Sequence, residues 1–119
     1  MSQSTACRSL SAYLAVNGAR EAIEFYKKAF GAIELFALVD PSDGRIGHAE
    51  LQFGDSMVML SDEYPDFGAL SPDTLGGSPV KLHISVDDVD AMFARALELG
   101  CTEVRPVRDQ FFAPCLYKV

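Results

Sequence analysis

The sequence predicts an α+β domain built from two related strand–helix modules, the second of them incomplete. Three observations carry this reading. Tyr13–Gly31 is a short apolar strand, a helix pattern and a glycine stop. The same pattern returns at His83–Gly100, with Val86 standing 70 residues after Val16 and Gly100 standing 69 after Gly31. Between the two copies, three more strand patterns separated by tight turns follow the first helix. Self-similarity at a fixed offset marks a repeated structural unit.

The chain has 119 residues, the length of one domain. With 49% hydrophobic and 23% charged residues it can bury a core of ordinary size. A net charge of −7 argues against nucleic acid or an anionic membrane surface as partner. No apolar run reaches the roughly 20 residues of a membrane span, and the N-terminus lacks a signal-peptide pattern, so the expected location is cytoplasmic. Cys7, Cys101 and Cys115 have no metal-site spacing and read as reduced thiols.

In chain order, the first ten residues read as a loose arm with an edge strand near Ser9–Leu10. Tyr13–Val16 is the first strand. Asn17 is the expected N-cap of a helix whose apolar face is Ala19, Ala22, Ile23, Tyr26, Ala29 and Phe30. Gly31 ends it. Glu34–Val39 is the second strand, and Pro41-Ser42-Asp43-Gly44 is a turn. Ile46–Phe53 and Ser56–Leu60 form a hairpin across Gly54-Asp55, which completes a βαβββ module at residues 11–60.

Residues 61–79 show no periodicity and hold three prolines and three glycines. They read as a linker, or as a lid carrying the aromatic pair Tyr64 and Phe67. The second module, 80–119, repeats a strand (Val80–Val86), a helix (Asp88–Leu99, with Asp87 where Asn17 stood) and a strand (Thr102–Pro106). Its third strand is partial and its fourth is absent.

Four stretches resemble one family: YLAVNG from Tyr13, AIEFYKKAFG from Ala22, GRIGHAELQFG from Gly44 and GGSPVKLHISVDD from Gly76. The chain is similar to the vicinal oxygen chelate superfamily, which holds glyoxalase I, bleomycin-resistance proteins, fosfomycin-resistance enzymes and extradiol dioxygenases. The same stretches closely resemble one branch of it, the phosphonate-operon-like proteins, also labelled demethylubiquinone-methyltransferase-like. The resemblance runs from about Ala12 to Phe111 and implies two modules that shape a curved sheet with a ligand on its concave face. After Asp109-Gln110-Phe111 the family pattern continues into a glycine turn and an Asp-Pro-Phe-Gly-His hairpin. Here Phe112–Val119 replaces it, as a truncation or altered reading frame would.

Strand alternation sorts the candidate site. His48, Glu50 and Gln52 share one face of their strand and Ala49, Leu51 and Phe53 the other. Leu14 and Val16 turn to the helix, leaving Ser11, Tyr13 and Ala15 opposite. Lys81, His83 and Ser85 are their counterparts in the second module. The resemblance places metal-ligand positions at Ser11, Lys81 and Glu50. Serine is a poor ligand, and a lysine ammonium has no lone pair. With His83 standing in for Lys81, a divalent metal would have Glu50 and His83, two ligands where catalytic sites use three. The expected cofactor is therefore none.

Two function classes follow, with a third beside them. The first is a small-molecule-binding homodimer without metal, its cleft lined by Tyr13, Phe36, Phe53, Met57 and Met59, with His48, Gln52 and Lys81 as polar contacts. The second is a metal-dependent lyase, isomerase or dioxygenase-type enzyme using Glu50 and His83 as catalytic groups. The third is a degenerate protein that binds nothing. A missing last strand leaves an open sheet edge, and such edges pair between chains. The dimer is expected to bury Phe111, Phe112, Leu116 and Tyr117.

Overall fold

The structure is a computed structural model and describes residues 5–103 together with the strand Leu116–Tyr117. Strand β1 (Ala12–Val16) leads into helix α1 (Ala19–Phe30). Three strands follow, β2 (Ile33–Val39), β3 (Ile46–Phe53) and β4 (Ser56–Asp62). They form one four-stranded sheet in the order β1-β4-β3-β2. β2, β3 and β4 pair antiparallel, while β1 runs parallel to β4 with Tyr13 opposite Met59. This is the βαβββ module that the sequence pattern predicts.

Alternation decides the two faces. Ala49, Leu51 and Leu60 turn toward α1 and meet Ala19, Ile23 and Ile46 in a fully enclosed core, with Leu14, Val16, Tyr26 and Phe53 packed around it. The hairpin turns on Gly54, whose φ of 58° lies where a side chain would be strained. Register shifts in β2 between Glu34 and Phe36, and between Leu38 and Val39, bend the outer strand.

Helix α1 ends as expected at Gly31, with φ 69° and its N–H bonded to the Lys27 carbonyl. Its start differs from expectation. Gly18, not Asn17, holds the N-cap position and offers no side chain. The free N–H of Ala19 instead donates to Asp62 Oδ1 at 2.8 Å, and Asp62 Oδ2 accepts from Ile46 N at 2.7 Å. One carboxylate at the end of β4 therefore caps the helix and fastens the start of β3. A negative group there also suits the helix dipole.

Four further expectations are corrected. Ser9–Leu10 forms no strand, and Leu10 is exposed. Residues 61–79 are not featureless: they carry a 3-10 turn at Pro65–Phe67 and a short helix, α2 (Pro72–Leu75). Ser71 starts α2 by accepting from Thr74 N, with Pro72 at the first helical position. Helix α3 (Val89–Glu98) is capped by Asp88, not Asp87, through its bond from Ala91 N at 3.0 Å. Finally, Val80–Val86 is not a strand. A strand exists by its partners, and β1 takes its partner from β4. No described strand lies alongside 80–86, so Val80, Leu82 and Ile84 stay exposed.

Helix α3 packs against α1 through a face that buries Phe93 and Ala96. β5 (Thr102–Glu103) pairs antiparallel with β6 (Leu116–Tyr117). Phe111, Phe112, the side chains of Leu116 and Tyr117, and the expected strand beyond Glu103 lie outside the described residues.

Candidate functional site

The face of the sheet turned away from α1 carries the candidate site. Ladder pairs place Phe36 opposite Glu50, Leu38 opposite His48, Met57 opposite Gln52 and Met59 opposite both Glu50 and Tyr13. Directly paired residues share a face, so these side chains line one surface. It is open: Tyr13, Ile33, Phe36 and Leu38 each expose about half of their surface or more.

A hydrogen-bonded chain runs across the middle of this surface. Tyr13 Oη lies 3.0 Å from His48 Nδ1, and His48 Nε2 lies 3.0 Å from Glu50 Oε2. The Phe36 ring stands 6.2 Å from the imidazole, centroid to centroid, on its other side. An ionised carboxylate only accepts, so the imidazole nitrogen facing it carries the proton. In the neutral ring Nδ1 is then the acceptor and takes the Tyr13 hydroxyl proton. His48 and Glu50 are about one-third exposed, open to a ligand without being fully hydrated.

At the end of the sheet where β3 begins and β4 ends, a groove of about 360 Å³ opens beside this chain. Tyr13, Gly47, Ser61, Tyr64, Phe67 and Ala69 line it. Its outer wall is held by Arg45. The guanidinium sits 3.9 Å above the Tyr64 ring and donates to the Glu63 carbonyl. A Tyr64–Ala69 bridge and a bond from Ser71 N to Glu63 Oε2 close the wall. The Thr74 hydroxyl, with Ser71, holds the Glu63 carboxyl below the usual carboxylate range. Ser42, through its hydroxyl and its N–H, does the same for Asp40.

The predicted site residues divide. Tyr13, His48 and Glu50 are joined by bonds, and Phe36, Gln52, Met57 and Met59 share their face. Phe53 belongs to the other side, packed on Tyr26 and Phe30 in the helix layer, because its place in the alternation is that of Ala49 and Leu51. Lys81 and His83 sit exposed in the unpaired 80–86 segment, and no hydrogen bond or ion pair joins either to another described residue. Glu50 is bonded to His48 rather than to His83. Among the described residues, no group of three or more His, Cys, Asp or Glu is placed to hold a metal ion. Among the described residues, Glu50 has His48 beside it and no third such side chain grouped with them.

Ser61, Gly47 and Ala69 enter the groove without having been singled out from the sequence. Ser61 was within reach, since it continues the alternation of Met57 and Met59. The partnership of Arg45 with Tyr64 carries no local sequence signal.

The family model of the glyoxalase/bleomycin resistance protein/dioxygenase superfamily matches residues 8–115. The chain belongs to this superfamily. It is 44% identical over 106 residues to the uncharacterized protein Mb0911c of Mycobacterium bovis, covering 87% of this chain and 69% of that one. Against Rv0887c of Mycobacterium tuberculosis the identity is the same, and the chain spans 62% of that protein's length. Among solved structures, the gene product AT5G48480 of Arabidopsis thaliana superposes with a TM-score of 0.68 at 25% identity, covering 86% of this chain and 80% of that one. The fosfomycin resistance protein FosX of Listeria monocytogenes, solved with Mn(II) and a dihydroxypropylphosphonic acid, gives 0.58 at 13% identity, with 93% and 81% covered. At that identity the likeness is one of fold.

Among the described residues, no helix is long and apolar enough to cross a membrane.

Proposed function

We propose that this superfamily member is a small-molecule-binding protein whose ligand lies on the open sheet face and whose binding requires no metal. One observation carries the reading: the Tyr13–His48–Glu50 chain is set in the middle of a largely apolar face on which Tyr13, Phe36 and Leu38 are exposed. Ligand sites combine apolar walls with a few placed polar groups, and this face has that make-up. Phe36, Met57 and Met59 supply the walls, and Gln52 extends the polar row. The donor set described above supports independence from metal. The proposed assembly is a cytoplasmic homodimer, supported by the exposed apolar row Ile33, Leu35, Phe36, Leu38 and Val39 on β2.

A second reading is an enzyme. The His48–Glu50 bond favours it, because a carboxylate that orients an imidazole is the arrangement of a general base. In that case His48 takes the part that the sequence pattern gave to His83.

Thermal shift against a panel of small aromatic compounds and divalent metals tests the reading. A native-state ligand raises the melting temperature by mass action. The expected result is stabilisation by aromatic compounds and none by zinc, nickel, manganese or iron. Stabilisation by a metal alone, together with about one metal per chain in untagged protein, overturns it. Light scattering at micromolar concentration tests the dimer, and a monomeric mass defeats it.

A further inference from the structure

The groove between β1, the β3–β4 end of the sheet and the 64–69 segment has a mostly apolar lining with a small polar share. Three of its lining residues carry hydroxyls, Tyr13, Ser61 and Tyr64. Each has an acceptor for its proton inside the protein, the one at Tyr64 being the loosest. Ser61 Oγ donates to the Asp62 carbonyl at 2.9 Å. Tyr64 Oη donates to Asp40 Oδ2 over a longer 3.5 Å. Tyr13 Oη donates to His48 Nδ1, because Glu50 fixes the proton of the neutral ring on Nε2. A hydroxyl has one proton and two lone pairs. With the proton spent, it faces a guest only as an acceptor.

From this we infer that the groove selects a flat, apolar small molecule carrying an N–H or O–H donor, neutral or cationic, with Tyr13 as the residue that reads the donor. The inference rests on the small-molecule-binding reading and names the class of ligand for the end of that face where Tyr13 borders the groove. Charge complementarity agrees. The carboxylates of Asp40, Glu50 and Glu63 flank the lining, the chain carries a net −7, and the nearby cation, Arg45, is occupied on the Tyr64 ring and Asp43. An anionic group has no free donor to meet among the side chains lining the groove. The aromatic rings of Tyr64 and Phe67, 6.5 Å apart, offer an apolar wall to a ring-sized body.

A ligand lacking the donor leaves the Tyr13 oxygen without a partner, which disfavours it over a donor of equal shape. Indole and benzofuran form such a pair, differing by N–H against O. Their dissociation constants are read from NMR shifts of the full chain, wild type and Tyr13→Phe. Tyr13 is half exposed, so the variant keeps the fold. The expected result is indole binding about fivefold or more tighter than benzofuran in the wild type, a ratio that falls to about one in Tyr13→Phe. His48→Ala frees the Tyr13 proton to donate outward, so there the penalty on benzofuran shrinks while indole still binds. Equal affinities in the wild type overturn the inference and leave a small-molecule site standing. So does a preference that survives Tyr13→Phe. If neither compound shifts groove resonances at millimolar concentration, the inference fails, and the thermal-shift panel judges the broader reading independently.

Discussion

Tyr13 and His48 sit on strands that are not paired, yet their side chains meet at 3.0 Å. β4 runs between them, and Met59 is the residue that Tyr13 and Glu50 both face across the ladder. The phenol therefore reaches over β4 to the imidazole. The parallel placement of β1 beside β4 makes this contact possible.

The closure of that module depends on Asp62. Its two carboxylate oxygens each accept a backbone N–H, from Ala19 and from Ile46. Asp62→Ala leaves both donors unsatisfied in a partly buried setting and is expected to cost about 2–4 kcal/mol in urea unfolding. Asn17→Ala, at the position that the sequence pattern marks as the cap, is expected to cost less than about 0.5 kcal/mol. Equal effects of the two changes would contradict the assignment of the cap.

Ile23 is fully enclosed between α1 and the sheet. Its replacement by alanine is expected to destabilise the protein by about 2–5 kcal/mol, since the lost contacts leave a cavity that a close-packed layer fills poorly. The urea midpoint gives the answer directly.

Acid stability follows from Glu34. The Arg20 guanidinium, through a 2.9 Å bond, lowers the Glu34 pKa below its usual value. A carboxyl whose folded pKa is depressed adds stability above its unfolded pKa and loses it as pH falls through the folded one. The melting temperature is therefore expected to fall from about pH 4.5 downward, and Glu34→Gln to flatten part of that fall. The pair is half exposed on the Arg20 side, so the effect is small and shrinks further in high salt. Thermal melts at two ionic strengths between pH 3 and pH 6 check both statements.

Arg45 holds the groove wall by its place over Tyr64 and its bond to the Glu63 carbonyl. Arg45→Ala is expected to lower global stability only slightly. It should also raise amide exchange in residues 63–71 far more than in β3. Uniform exchange across both regions would argue against a local role.

Much of the fold was legible because local signals agreed with it. The apolar spacing of α1, the Gly31 stop, the Gly54-Asp55 hairpin and the alternation of Ile46–Phe53 all act within a few residues. What failed was set by distant partners. Asp62 replaces a local cap from 43 residues away. Val80–Val86 has a strand's alternation but no described strand beside it to make it one. Within the site, alternation correctly grouped His48, Glu50 and Gln52, whereas the Tyr13–His48 contact depends on strand order, which periodicity does not encode. The Ser71-Pro72 start of α2 has the local signature of a cap followed by proline, but the surrounding glycines and prolines of 61–79 mask it.

The chain has two histidines, His48 in the proposed site and His83 on the exposed 80–86 segment. Their ring signals in a proton–carbon correlation spectrum report on site and control in one experiment. Titration with indole is predicted to move the His48 ring signals in a saturable way and leave those of His83 in place. Movement of His83 with His48 unchanged would contradict a ligand site on the open face of the sheet.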